Sequence, residues 1–258
     1  MLQFGHKNNL TATQSRTIQL VTFIVIIVTW EWLALSSNPL LVPRPSLVTA
    51  AFWEMMLNGE LARAFYQSAT SFSLGFAISV VLGISIGVLM GFSRLIEKIL
   101  DPYVNALYAM PIIALIPFIM LWAGIGFQAK VIIVVLFAIF PIIINTAVGV
   151  KNVENHFLDI GIAFCASRTA ILFKIVAPSA LPFVATGIRL AVGRGIIAMV
   201  VAEFLTAIAG LGGMIINYSN SFQTSKAFVP VIVLAIMGIV LTYLIQLLEQ
   251  RLAAWRSV

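Results

Sequence analysis

KNVENHFLDIGIAFCASRTAILFKIVAPSALP, residues 151–182, is the longest charge-bearing stretch lying between two apolar runs of this chain. It holds Lys151, Glu154, Asp159, Arg168 and Lys174, although only 9% of the 258 residues are charged. The pattern reads as a short helix, a turn and the start of a second helix, closed by Pro178 and Pro182. Everything on either side of it reads as membrane.

That contrast fixes the class. The chain is 61% hydrophobic and its charge content falls far below the roughly 25% of soluble domains. A soluble fold of this length could not bury so much apolar surface, which leaves a single-domain, all-α polytopic membrane protein. The net charge of +6 is spread over the ends of apolar runs, with no basic cluster to suit nucleic acid. One cysteine, Cys165, excludes an internal disulfide, and His6 and His156 stand too far apart in sequence to suggest zinc. Lys7 and Arg16 precede the first apolar run as in a signal peptide. That run is longer than the ~7–15 residues of a signal core, and no small-x-small cleavage site follows.

Six spans are expected, near residues 17–35, 64–91, 102–122, 131–150, 179–205 and 227–248. Residues 1–16 and 251–258 would be tails. Trp30, Glu31 and Trp32 belong at an interface, and residues 50–61 read as a surface helix. In the second span Gly75, Ser79, Gly83, Gly87 and Gly91 recur every fourth residue. They therefore share one face, where a neighbouring backbone can come close. Pro111 and Pro117 should kink or break the third span, and a broken helix at membrane depth is tolerated only against protein or a cavity. This makes it a candidate lining of a path. Arg189, Arg194 and Glu203 in the fifth span need water, a partner or a cavity. Residues 209–225 are broken by Gly210, Gly212 and Gly213 and carry the polar run from Asn217 to Thr224, so they should not span. That run suits an outer gate, a docking surface or a plain solvated loop.

With both ends of the chain inside, nine cations face the cytoplasm: Lys7, Arg16, Arg94, Lys98, Lys151, Arg168, Lys174, Arg251 and Arg256. Four lie outside: Arg44, Arg63, Lys130 and Lys226. This asymmetry puts residues 151–178 on the cytoplasmic side. No phosphate-binding G-x-x-x-x-G-K-[ST] loop, metalloprotease motif or hydrolase elbow occurs in the chain, so a catalytic role is not expected. A driven process would draw on an ion gradient or on another subunit. Ion-coupled carriers usually show inverted repeats and acids in mid-membrane, whereas here Glu31 and Glu203 stand near outer ends.

The cytoplasmic stretch resembles the loop of permease subunits of binding-protein-dependent ABC importers, whose signature is EAA, three residues, G, nine residues, I-x-L-P. Asp159-Ile160-Gly161 stands in place of EAA, Cys165 in place of the glycine, and Ile175-Val176-Ala177-Pro178 in place of I-x-L-P. Asp159 keeps the charge and Gly161 the small size, whereas Cys165 would be strained wherever the turn requires positive φ. The resemblance extends through Ala109-Met110-Pro111, Pro117, Trp122 to Gly126, Thr186-Gly187-Ile188-Arg189, Val201-Ala202-Glu203 and Gly210-Leu211-Gly212. Its nearest subfamily is the nitrate, sulfonate, taurine and bicarbonate group.

The resemblance implies a type I importer permease that works as a homodimer with two ATPase subunits and an extracytoplasmic binding protein in a bacterial inner membrane. ATP and Mg²⁺ would be held by the ATPase, with no cofactor or metal in this chain. A helix over about 155–167 would present Phe157, Ile160 and Phe164 as one stripe to a cleft of the ATPase, with Asp159 and Arg168 fixing its orientation. Without the resemblance the same stripe would fit a helix lying on the membrane or under the spans. Arg189 and Arg194, about 140° apart on a helix, do not share a face. One would meet an anionic solute in the path, or Arg189 would snorkel and Arg194 pair with a neighbour. Glu203 would anchor the outer loop, with pairing across the dimer as one route. An ion-coupled carrier and a scaffold recruiting an ATPase are the competing readings.

Overall fold

The computed structural model describes residues 12–38, 40–206 and 209–252. The expected tails, with Lys7 and Arg256, fall largely outside these residues. Among the described residues all regular structure is helical. Five helices are long and apolar enough to cross a membrane, and a bent pair makes a sixth.

The centre of the bundle is α6, Phe127–Lys151, held between α3, Glu60–Phe92, and α8, Arg168–Thr206. The four-residue glycine period dictates the first contact. A Cβ on Gly75, Gly83, Gly87 or Gly91 would come within 2.5–2.8 Å of Val134, Ile142, Thr146 or Val150 on α6. The stripe therefore lets two backbones approach where lipid gives no hydrophobic drive for association. The second contact works the same way in reverse, because Gly149 of α6 faces Phe183 and Gly187 of α8 faces Asn145 and the Pro141 carbonyl.

The remaining elements depart from the expected boundaries for local reasons. Residues 45–57 form α2, Pro45–Leu57, with proline in its first turn, where a missing N–H costs nothing. It is not merely a surface helix, because Val48, Ala51 and Met55 are buried in the main core. Gly59, at φ +75°, turns the chain directly into α3, so the second span starts at Glu60. At the far end of α1, Ala12–Leu35, the Glu31 carboxylate accepts from both the N–H and hydroxyl of Ser46, tying α1 to α2.

The third span is broken. Helix α4, Arg94–Ala109, stops before Pro111, a 3₁₀ turn follows at Ile112–Leu115, and α5, Ile116–Ala123, leaves at an angle of 86°. Pro111 makes the break, whereas Pro117 sits in the first turn of α5 and kinks nothing. Pro102 lies inside α4 rather than at its start.

After α6 come a short helix, α7, Asn155–Ala163, and then the long α8. Pro178 and Pro182 do not close the loop as expected, because α8 begins at Arg168 and runs through both. A π-helical segment, Leu172–Val176, precedes Pro178. Its wider turn moves the i−4 carbonyl away from the pyrrolidine ring, and Ser179 Oγ caps the Ile175 carbonyl at 2.7 Å. The stretch after α8 was expected not to span, and it forms only the ten-residue α9, Leu211–Asn220, packed among α3, α8 and the last helix, α10, Thr224–Leu252.

Candidate functional site

The elbow at the end of α6 is built by two faces of α7 with opposite tasks. Leu158 and Gly161 face inward, and a Cβ on Gly161 would lie 2.8 Å from Ile175 Cδ1. A small residue there lets α7 lie against the first turns of α8 without displacing the ends of the Ile171 and Ile175 side chains. Phe157, Ile160 and Phe164 point the other way and are 46%, 41% and 82% exposed. Asp159 and Arg168 are also exposed, with no opposite charge at ion-pair distance among the described residues. The helix is nine residues long, shorter than expected. It ends at Ala163 because the Cys165 N–H bonds the Ile162 carbonyl at 2.8 Å and the Ala166 N–H bonds that of Gly161 at 3.0 Å. This paired closure requires a left-handed residue between them. Cys165 takes that place at φ +49°, so the residue standing where the motif has glycine carries backbone strain. Ser167 then caps α8 by accepting from the Ala170 N–H. A cavity of about 760 Å³ opens at the root of the elbow, between Glu154, Phe157, Lys174 and Pro178.

At the opposite end of α8, Glu203 is fully buried among partners of its own chain. Lys130 Nζ stands 3.2 Å from Oε1 and also donates to the Ala209 carbonyl at 3.0 Å. Ser68 Oγ lies 2.8 and 2.9 Å from the two carboxylate oxygens and itself accepts from the Leu211 N–H at 2.8 Å. The Gly212 N–H donates to Oε2 at 2.9 Å, and the Gly210 N–H to Gln67 Oε1 at 3.2 Å. Four elements, α3, α6, α8 and the start of α9, thus meet on one carboxylate. Gly210 is obligatory twice over: its φ is +95°, and a Cβ would fall 2.0 Å from Glu203 Oε1. Lys130 is 7% exposed and is therefore part of the bundle, not the outer-loop cation that charge counting made it. Ser68 also escaped the sequence reading. Its signal is the small-residue stripe, which continues backward from Gly75 through Ser71 and Ser68 to Ala64, all buried.

The two arginines of α8 separate cleanly. Arg189 is ion-paired with Glu249 of α10. Arg194 donates to the Tyr108 hydroxyl at 2.8 Å, and its guanidinium carbon sits 4.4 Å from the centre of that ring. Tyr108 lies at the end of α4, three residues before the exposed Pro111. Asn217 is exposed on α9, away from both arginines in sequence and in element. The structure therefore joins Arg194 to Tyr108, three residues before Pro111, leaves Pro117 in the first turn of α5, and seals Glu203 inside the bundle.

Comparison with known proteins matches this arrangement to a family. Residues 79–254 match the profile described as binding-protein-dependent transport system inner membrane component. The chain is 34% identical over 216 residues to the aliphatic sulfonates transport permease protein SsuC of Bacillus subtilis, covering 84% of this chain and 78% of the relative. It is 30% identical over 241 residues to the formylaminopyrimidine transport permease protein ThiX of Halalkalibacterium halodurans, covering 91% and 94%. The fold is similar to that of a chain in an inward-facing MetNI methionine ABC transporter, with a TM-score of 0.55, 20% identity, and coverage of 84% of this chain and 99% of the other. With a profile match over more than half its length, the chain belongs to the family of binding-protein-dependent ABC importer permeases, and it is a multi-pass membrane protein.

Proposed function

We propose that two copies of this chain form the translocation path of an ATP-driven importer in a bacterial inner membrane, with both ends of each chain in the cytoplasm. Two separate subunits bind ATP and Mg²⁺ and hydrolyse the nucleotide, and an extracytoplasmic protein delivers a small anion of the sulfonate, taurine or nitrate type. The cargo follows from the sulfonate relative and from unspent positive charge in α8. The family alone does not fix it, since its members are named for different cargoes.

The observation that carries the reading is the elbow. A helix anchored from behind by Gly161 turns Phe157, Ile160 and Phe164 outward on the side where Lys and Arg accumulate. An apolar stripe exposed in water at a helix end suits a partner's cleft. ATP-driven closure of the two ATPase subunits would move both elbows and tilt α3, α4, α6 and α8 between inward and outward openings. Such a cycle requires each ATPase state to hold the elbow with a different free energy.

The test is reconstitution with the ATPase and the binding protein. Asp159→Lys should leave the chain inserted and ATP hydrolysis running while uptake falls about tenfold or more. Undiminished uptake in that variant removes the coupling role. Uptake that persists without any ATPase would favour an ion-coupled carrier instead.

A further inference from the structure

We infer that Arg194, backed by Tyr108, is the residue of this chain that contacts the anion in the translocation path, and that Arg189 is not. The inference rests on the importer reading and assigns its ligand contact.

Depth is the first argument. Arg194 lies twelve residues from Thr206, about 18 Å along the helix, and farther still from Lys174, so it stands near the middle of a hydrocarbon layer roughly 30 Å thick. A guanidinium at that depth must face water, a counter-charge or an anionic ligand. Arg189 has its counter-charge in Glu249. Arg194 has a neutral hydroxyl and an aromatic ring. Its partner also sits at a break: α4 ends at Ala109, and Met110 and Pro111 expose non-helical backbone. Such backbone is tolerated inside a membrane only beside protein or a water-filled space. An uncompensated cation and a break in a span thus fall in one place and call for one remedy.

A census of acids decides what the remedy is. The chain has nine Asp and Glu residues. Glu31 is bound to Ser46, Glu54 to Lys226, Glu60 to Tyr218, Glu97 to Lys151, Glu203 to Lys130 and Glu249 to Arg189. Glu154 and Asp159 belong to the elbow, which leaves Asp101. It sits seven residues before Tyr108 on α4, about 10 Å away along the helix axis. With α4 as the cytoplasmic half of the broken span, it is that much nearer the cytoplasm in the proposed importer. A second copy related by a two-fold axis along the membrane normal keeps every residue at its own depth, so its Asp101 is displaced from Arg194 by the same distance. No carboxylate of either copy is free at the level of the guanidinium. The charge is left for the cargo. Tyr108 accepts from Arg194, so its own hydroxyl proton is available to an oxyanion, alongside the remaining N–H groups of the guanidinium. The ligand class is a compact oxyanion: a sulfonate, nitrate or carboxylate.

The experiment uses the full complex of permease, ATPase and binding protein in proteoliposomes, with labelled nitrate and ethanesulfonate as probes. Arg194→Gln should lower uptake about tenfold or more while hydrolysis stimulated by the binding protein stays within about twofold, and Arg194→Lys should restore most of the loss. Tyr108→Phe should raise the KM with a smaller effect on the maximal rate. In a Cys165→Gly background, which removes the only native thiol, Arg194→Cys should react with a small, uncharged, water-soluble methanethiosulfonate, as a position facing a water-filled path does. Wild-type uptake by Arg194→Gln, or an unreactive Arg194→Cys, would overturn the assignment. So would dissociation of the two permease copies in both Arg194→Gln and Asp101→Asn, which would make the partner's carboxylate the true counter-charge. If the wild-type complex takes up neither probe while its ATPase responds to its binding protein, the anion reading of the cargo fails before this residue is reached.

Discussion

The two ends of α8 are built on opposite principles. At the C-terminal end, Glu203 is fully buried and every oxygen it has is occupied by Lys130, Ser68 or a backbone N–H. At the N-terminal end, three large apolar side chains of the elbow lie open, Asp159 and Arg168 have no opposite charge at ion-pair distance among the described residues, and Cys165 holds a left-handed backbone. The first is how a protein stores stability; the second is the kind of surface that, in the proposed importer, another molecule completes. One helix of 39 residues, about 58 Å long, joins them. In the proposed cycle, a displacement at the elbow would pass along this helix toward the point where α3, α6 and α9 are fastened together.

The hardest test of this contrast is to empty the Glu203 end. Glu203→Ala would leave Lys130 as an unpaired buried cation and strip partners from Ser68 and Gly212. Losing one member of a buried pair typically costs about 3–5 kcal/mol. A fall of that size should appear in thermal unfolding of the purified protein in detergent. By contrast, Phe164→Ser at the 82%-exposed elbow position should change stability by less than about 0.5 kcal/mol. Equal losses in the two variants would erase the distinction between the ends.

The contrast also explains what could be read in advance. The membrane class was legible in the composition, and the glycine face of α3 and the stripe of α7 because each is a local period, which survives without knowledge of the fold. The meeting on Glu203 was not, because Ser68, Lys130 and Gly212 come from three separate stretches and nothing in their spacing joins them. Lys130 was misread because a lysine at the start of a span looks like a loop cation until its Nζ is seen to have buried partners. Pro178 was misread for a different reason: proline is a helix breaker on the assumption of an α-helical i−4 carbonyl, and the π turn before it voids that assumption. The break at Pro111 was legible as a possibility, but proline alone does not say which of two neighbours will bend the helix.

A smaller effect is expected from Tyr218 of α9, which donates a 2.6 Å hydrogen bond to Glu60 at the start of α3. Burial, and then the hydrogen bond and negative charge of Glu60, push its hydroxyl up to about 12. The folded state therefore keeps this proton after the unfolded chain has lost it. Stability from this contact is complete below the ordinary tyrosine value near 10 and drains away as pH rises from there toward 12. Wild type should show a falling melting temperature over that window. Tyr218→Phe should start lower and show a shallower fall, and parallel slopes would mean that Tyr218 is not the titrating group.

The smallest expected effect is at the elbow and runs toward stability. Cys165 sits at φ +49° between the two hydrogen bonds that end α7, and a side chain in that conformation costs roughly 1–2 kcal/mol. Cys165→Gly relieves the strain but adds backbone freedom to the unfolded chain worth about 0.5–1 kcal/mol, leaving a net gain of about 0.5 kcal/mol. Cys165→Val, β-branched in the same conformation, should instead lose stability relative to wild type. If glycine destabilises the protein while valine does not, the strain is not in the turn. If the order is glycine, cysteine, valine, the elbow carries its small strain while the opposite end of the same helix holds a fully satisfied carboxylate. The energetic cost of a movable joint would then lie on the side where the ATPase is proposed to grip.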